Sequence, residues 1–446
     1  MEATIQLEHV RVENLFGRLT YEVDFKTGSN VSIVLAPNGC GKTSLFKLIS
    51  FIFNPDFDGF NFARKIPFSR CVCSLASGCF VELVREERAC VDGGSTVWPR
   101  VNLELRIHGN KKRMRKYEYL KTDQRRFMRY YDRRVIWRHD VVCDQEDFFD
   151  NPRFREEALH RFAFISEEVV KILSDNGCGL SVNFICADRL HSSSGSMHSA
   201  RRQEDGDDKG QDPLAKIQSE VRQLYGQIAE KYNMLQQQMK DALPKMYLKQ
   251  SAAKEMGYEA FKERWVTYVE KIEKFCGIGL LSSNKTILAM NELEAAYKKK
   301  TTFLEVYLEA FERTLAPLED HYGRLKLFCD IINRRNQVTN KQLRYGDRGL
   351  VMTMDKEPLS LEWLSSGEKN DLVMFYNLIF RTSENGLVLI DEPEISLHVE
   401  WKIEYLENLL RICELNKLQA IVATHSPSIV NGRFDLYAKM EKNDAQ

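Results

Sequence analysis

The chain of 446 residues has no excess of charge, with 64 Lys and Arg against 64 Asp and Glu and a formal net charge of +0. That balance argues against a surface built to coat nucleic acid as a whole, while leaving room for a local basic patch. It has no run of 18 apolar residues, so no transmembrane helix and no membrane association are expected. It has no CxxC pair: its 11 cysteines are odd in number and scattered. No signal-peptide pattern opens it, and together these features predict a cytoplasmic protein with free thiols. The densest cysteine group, Cys71, Cys73, Cys79 and Cys90, is spaced for alternation along two strands rather than for zinc ligation. What is present is ordinary globular material, 43% hydrophobic, and a length that predicts two to three units.

The most informative stretch is Val31 to Ser50, VSIVLAPNGCGKTSLFKLIS. The apolar run Val31–Leu35 reads as a buried strand. The small-residue loop Pro37-Asn38-Gly39-Cys40-Gly41 follows, and Lys42-Thr43-Ser44 opens an amphipathic helix through Leu45, Leu48, Ile49 and Ile52. Strand, glycine loop, Lys-Thr and helix make a phosphate-binding loop. The glycines let successive N–H groups converge on phosphate oxygens, and the helix start adds partial positive charge. Lys42 would reach the β- and γ-phosphates and the Thr43 hydroxyl would ligate Mg²⁺. Ala36 stands where the pattern usually has its first glycine.

Before this loop, Ile5, Leu7, Val10, Val12, Tyr21, Val23 and Phe25 alternate as strands do, and residues 66–107 read as short strands with a turn at Asp92-Gly93-Gly94. Between Lys111 and Arg138 there are 12 Lys or Arg against 3 acids, interleaved with Tyr117, Tyr119, Phe127, Tyr130, Tyr131 and Trp137. Such a mixture suits DNA or RNA, and equally suits a solvated face offset by the acidic run Asp144–Asp150; net neutrality favours the second. Val182–Cys186 reads as a further buried strand, and His191–Asp212 as a flexible linker. Leu214, Ile217, Val221, Leu224 and Ile228 then step at helical spacing, continued by Tyr232, Leu235 and Met239. A second seam runs from Leu304 to Leu325, with Pro317 expected to bend it. Two seams around an irregular middle suggest either an arm that runs out and folds back or a packed helical subdomain. About 27 residues of the first helix would span roughly 40 Å.

Three stretches near the C-terminal end carry chemistry. Leu364-Ser365-Ser366-Gly367-Glu368 precedes a helical pattern and offers donors to a phosphate. The apolar run Leu387–Ile390 ends in Asp391-Glu392-Pro393; paired carboxylates at a strand end supply one Mg²⁺ ligand and one base for water. Gln419–Thr424 reads as a strand ending in His425-Ser426-Pro427, where a histidine can contact a γ-phosphate or the attacking water.

In this order the four motifs resemble the ABC-type ATPase head, and more closely the family shared by overcoming-lysogenization-defect proteins, structural-maintenance-of-chromosomes proteins and related bacterial ATPases. The motifs cover about residues 1–60 and 330–446. The resemblance implies an α/β head, a mixed sheet with flanking helices, carrying an inserted coiled-coil-like helical arm. It makes Asn38, Gly39, Cys40, Gly41, Lys42, Thr43 and Ser44 the nucleotide loop, Thr43 and Asp391 the Mg²⁺ ligands, Glu392 the general base and His425 the switch histidine. Leu364 to Glu368 become the signature that closes over ATP held by another subunit. The run Asp391 to His398 is similar to that of stand-alone defence ATPases, among them the ATPase subunits of the Septu and PARIS anti-phage systems. Three features depart from the pattern. No glutamine lies between Lys42 and Gln124 to serve as the Q-loop ligand, no CxxC hook tips the arm, and no TOPRIM, HNH-like or PD-(D/E)xK-like nuclease cluster is evident, with only about twenty residues left after His425.

The expected organisation is an N-terminal lobe at 1–190, a linker at 191–212, an arm at 213–328 and a C-terminal lobe at 329–446. The expected function is an ATP- and Mg²⁺-dependent ATPase that pairs through its heads as a homodimer or higher homo-oligomer. It would regulate a separate effector, such as a nuclease, in anti-phage defence. A DNA-holding repair or recombination ATPase is the rival, and a nucleotide-gated scaffold with scarcely any turnover a third reading.

Overall fold

The computed structural model describes residues 5–26, 28–37, 39–90, 98–109, 115–119, 152–186, 212–250, 257–281, 290–396 and 399–442. Asn38, the Asp92-Gly93-Gly94 turn, most of Lys111–Arg138, the linker through residue 211 and His398 lie outside the described residues. In chain order the strands are β1 (Leu7–Leu15), β2 (Leu19–Asp24), β3 (Val31–Leu35), β4 (Arg70–Leu75) and β5 (Phe80–Cys90). Next come β6 (Trp98–His108), β7 (Arg115–Tyr119), β8 (Val182–Ile185), β9 (Lys341–Gly346) and β10 (Gly349–Met354). The last are β11 (Glu357–Leu359), β12 (Leu387–Asp391), β13 (Gln419–Thr424), β14 (Tyr437–Ala438) and β15 (Met440–Lys442). The chain divides into two compact units, residues 1–206 with 382–446, and residues 207–381.

The first unit contains a parallel five-stranded sheet in the order β14-β3-β13-β12-β8. Every residue of β12 and β13 is buried. Parallel strands covered on both faces need apolar side chains at consecutive positions, which is why these segments read as uninterrupted runs. A separate seven-stranded sheet, β15-β2-β1-β4-β5-β6-β7, is antiparallel at each described pairing. The α/β class expected from the sequence is what the chain adopts, and within this unit its parallel and antiparallel strands are divided between two sheets. The antiparallel sheet turns Val10, Val12, Cys71, Cys73, Val81, Leu83, Leu103 and Leu105 into a core that also holds Leu45, Phe46, Leu48, Ile49 and Ile52 of helix α1 (Lys42–Phe53). Cys71 and Cys73 face inward two positions apart, as strand alternation requires. Gln419 bolts the sheets together: its Nε2 donates to the Leu7 carbonyl at 2.8 Å, and its Oε1 accepts from the Leu7 N–H at 2.8 Å. A buried amide can replace a missing ladder partner in this way because it carries both donor and acceptor.

The parallel register brings strand ends level. Asp391 pairs with Ala423, Thr424 with Leu35, and Ile390 with Ile185. The carboxyl ends of β3, β12 and β13 therefore form one edge, where open α/β sheets bind their ligands.

In the second unit the Pro213–Gln250 helix buries Leu214, Ile217, Val221 and Ile228, and leaves Tyr232, Leu235 and Met239 half-buried. The seam is thus packed at its start and looser towards its far end. The expected irregular middle contains a regular helix, Tyr258–Gly277, with Phe261, Trp265, Tyr268, Ile272 and Phe275 buried. Its period is carried largely by aromatics. Pro317 does not bend one long helix: the Met290–Thr314 helix stops, Leu315 caps, and Pro317 sits in the first turn of Ala316–Arg335. Proline lacks the N–H that a helix interior needs, but the first turn leaves that donor unused. The division expected at 328/329 falls inside this unit, because its three-stranded sheet β11-β10-β9 and the Ser366–Tyr376 helix pack on the helices around them. Gln218 makes this join explicit, accepting from the Leu350 N–H at 2.7 Å and donating to its carbonyl at 2.9 Å.

Candidate functional site

The loop after β3 is shaped by its glycines. Gly39 has φ 82° and Gly41 φ 89°, conformations that side chains disfavour. A Cβ on Gly41 would also stand 2.8 Å from Leu15 Cδ2 and 3.1 Å from the Phe16 ring. Ala36 is tolerated because its φ is not positive and its N–H extends the ladder to the Thr424 carbonyl at 3.3 Å. Lys42 is 5% exposed, and its Nζ donates back to the carbonyls of Ala36 at 2.6 Å and Pro37 at 2.9 Å. The Cys40 thiol donates to the Pro37 carbonyl at 2.9 Å.

Thr43 and Asp391 lie 348 positions apart in sequence and meet in the fold, the Thr43 hydroxyl donating to Asp391 Oδ2 at 2.5 Å. Asp391 is buried, and its Oδ1 has no hydrogen-bond partner among the described residues. Burial pushes the Asp391 carboxyl above its usual range; Glu392 and Glu394 add to this, while the Thr43 hydrogen bond and Lys42 oppose it. A hydroxyl beside a carboxylate with one unused buried oxygen is a donor set that suits a hard divalent cation such as Mg²⁺. An acid whose folded pKa is raised costs no stability below its unfolded pKa, and the cost is complete above the folded one. Asp391→Asn should therefore raise the melting temperature of the nucleotide-free protein at neutral pH, by about 1–2 °C per kcal/mol recovered. The gain should shrink as the pH falls into the carboxylate range; a lowered melting temperature at neutral pH would contradict it.

Glu392 follows at φ 44°, a left-handed conformation immediately before Pro393. Residues before proline ordinarily stay extended, so the geometry is strained, and strain of this kind concentrates at functional sites. Its N–H is held by the Ala423 carbonyl at 2.8 Å. The turn directs Glu392 towards His425, whose Nδ1 lies 3.5 Å from Glu392 Oε1 and 3.3 Å from Glu394 Oε1. Lys42, Thr43, Asp391, Glu392 and His425 thus belong to the aligned strand ends of one unit.

Two residues at this edge escape the sequence reading. Glu394 appears there only as part of a motif, yet its buried side chain reaches His425. Phe16 is 39% exposed at φ 57°, with its ring against Gly41. A non-glycine residue in a tight turn is a faint signal, and nothing in the sequence places that turn beside the loop.

Leu364 to Glu368 belong to the second unit. Ser365 and Glu368 form a reciprocal capping box at the start of the Ser366–Tyr376 helix. Burial raises the Glu368 pKa, but the Lys341 ammonium at 2.7 Å and the Ser365 N–H outweigh it and hold the carboxyl below its usual range. Ser366 is exposed at the first helical position, next to Gly367 and close to Trp363, which is 74% exposed. Deeper in this helix Asp371 forms a fully buried ion pair with Arg335 at 2.7 Å.

A glycine loop closed on a buried lysine, a Thr–Asp pair and a carboxylate–histidine pair all lie at one edge of a parallel sheet. Residues 6–430 match the AAA ATPase domain family, and the chain belongs to that family. ATPase activity, nucleotide binding and a requirement for Mg²⁺ are the family-level expectation. Among curated proteins, the Retron Ec83 probable ATPase of Escherichia coli is 26% identical over 148 residues, covering 26% of this chain and 27% of the relative. The chain thus spans about a quarter of the length of that relative. Among solved structures, the Smc head domain with an extended coiled coil, bound to the C-terminal domain of ScpA from Pyrococcus furiosus, covers 99% of this chain and 96% of its own. It does so at 13% identity and a TM-score of 0.38. An SmcHead bound to the C-winged helix domain of ScpA gives 11% identity and a TM-score of 0.35, covering 99% of this chain and 98% of its own. No helix among the described residues is long and apolar enough to cross a membrane.

Proposed function

We propose that this protein is an ATP-hydrolysing regulatory subunit of a bacterial anti-phage defence system, acting on a separate effector through nucleotide-dependent pairing of its heads. The observation that carries the hydrolytic reading is the Thr43–Asp391 pair with the unused Asp391 Oδ1, set beside Glu392 and His425. Thr43 and Asp391 would hold Mg²⁺, which when bound would neutralise charge on the phosphates. Gly39, Gly41 and Lys42 bind the β- and γ-phosphates. Glu392 accepts the proton of the attacking water, and His425 stands where it can contact that water or the γ-phosphate. The exposed Phe16 ring, carried on a left-handed backbone, offers a base a stacking surface at the rim of the loop. The defence role is supported by the partial similarity to a retron ATPase.

Pairing assigns Ser366 and Gly367 to ATP held by a second copy, a reading supported by the exposure of Ser366 and the partial exposure of Gly367 at a capped helix start. Mixing two inactive variants tests it. Ser366→Arg alone and Lys42→Ala alone should each lack ATPase activity. Their equimolar mixture should recover about a quarter of wild-type activity, because half the dimers are mixed and each of these has one intact site. A mixture as inactive as its components, or an active Ser366→Arg protein, would place the whole site within one chain. Defence regulation is tested by co-expression with the adjacent gene product: effector toxicity should be restrained by the wild type and released by Ser366→Arg.

A further inference from the structure

Glu394 lies in the short turn Pro393–Ser396 and is 5% exposed. Its Oε1 accepts from the Thr424 hydroxyl at 2.5 Å and from the His425 N–H at 3.1 Å, and lies 3.3 Å from His425 Nδ1. Its Oε2 is buried without a hydrogen-bond partner among the described residues. A buried carboxylate with half its acceptor capacity unused is expensive. Its described partners all come from two consecutive residues at the end of β13, the second of them the histidine of the site.

A backbone tie alone would not need a carboxylate. A glutamine could accept from the Thr424 hydroxyl and the His425 N–H equally well, and its amide would fill the rest of the space. What distinguishes a carboxylate is that it only accepts. Facing Nδ1, it favours the ring form in which Nδ1 carries the proton. Glu392 Oε1, the other acidic oxygen near Nδ1 at 3.5 Å, biases the ring in the same direction. In a neutral imidazole this leaves Nε2 as the free acceptor. We propose that Glu394 is a positioning residue: it holds His425 with Nδ1–H turned inward, so that Nε2 is the atom offered to the attacking water or the γ-phosphate. An acceptor that fixes the tautomer of a working histidine is a recurrent device in hydrolytic sites and metal shells.

This inference rests on the reading of Glu392 and His425 as ATP-site residues, and its first test is independent of turnover. In the full-length, nucleotide-free protein, ¹⁵N spectra of the histidine rings, with His425 assigned by the signal lost in His425→Gln, should show Nδ1 protonated and Nε2 bare. Glu394→Gln should move that population towards the other tautomer. Thr424→Val, which removes the hydroxyl tie and keeps the carboxylate, should leave it in place. A wild-type His425 protonated at Nε2 would overturn the proposal, and so would a shift in Thr424→Val equal to that in Glu394→Gln. The wild-type spectrum and Thr424→Val decide the matter even if Glu394→Gln does not fold. For turnover, Glu394→Gln should lower kcat roughly 10- to 100-fold with little change in KM. In a His425→Ala background it should lower kcat no further; losses that multiply would show that Glu394 acts independently of the ring. Absence of ATPase activity in the wild type would refute the hydrolytic reading while leaving the tautomer result standing.

Discussion

With Glu392 replaced by glutamine, the protein should bind ATP as the wild type does and hydrolyse it about 10²- to 10⁴-fold more slowly. The substitution keeps the size of the side chain, and the backbone that aims it is held independently by the Ala423 carbonyl and by Pro393. What disappears is the acceptor for the proton of the attacking water. The amide can still hydrogen-bond that water but cannot take its proton. If ATP also holds two heads together, stalled hydrolysis should accumulate the paired form, visible as earlier elution on size-exclusion chromatography in ATP and Mg²⁺. Normal turnover in Glu392→Gln would remove Glu392 from the role of base. Slow turnover without earlier elution would retain the base and remove the pairing.

Lys42→Ala should weaken ATP binding by about 2–5 kcal/mol, roughly 30- to several-thousand-fold in Kd. The ammonium is nearly inaccessible and is held by the Ala36 and Pro37 carbonyls at 2.6 and 2.9 Å. It therefore stands inside the loop before any phosphate arrives, with one of its three protons and all of its charge in reserve. Truncation removes the charge that meets the phosphates and takes the lysine donor from both loop carbonyls, leaving Pro37 with the Cys40 thiol, so the preformed cradle is weakened along with the contact. Titration with a fluorescent ATP analogue measures both effects, and Kd close to that of the wild type would sink the assignment of the loop. Lys42→Arg should recover only part of the affinity, because a planar guanidinium is larger than the space an ammonium fills between two carbonyls.

Each local part of the site was legible in the chain because each is demanded locally. Gly39 and Gly41 adopt φ values that favour glycine. The strands β3, β12 and β13 are buried almost throughout and so read as apolar runs, and the acidic pair and the histidine mark where those runs stop. The Ser365–Glu368 capping box is a local feature of the same kind, made by a hydroxyl and an acid three positions apart. Other features were present but less conspicuous. The Tyr258–Gly277 helix has a regular buried spacing that runs mainly through aromatics, and Pro317 carries the same local constraint whether it bends a helix or starts one.

By itself, then, the sequence determined the α/β class, the glycine loop and the acidic strand end, since periodicity and backbone conformation are properties of neighbouring residues. Only the tertiary structure decided that Thr43 bonds to Asp391 across 348 positions and that Glu394 meets the His425 ring. It likewise decided that Phe16 lies on Gly41 and that the antiparallel strands of the first unit form a sheet separate from the parallel one. The physical reason is register. Which strand ends stand level, and which turn approaches a glycine closely enough to forbid a Cβ, depends on hydrogen-bond ladders between distant segments, whereas a sequence pattern describes one segment at a time.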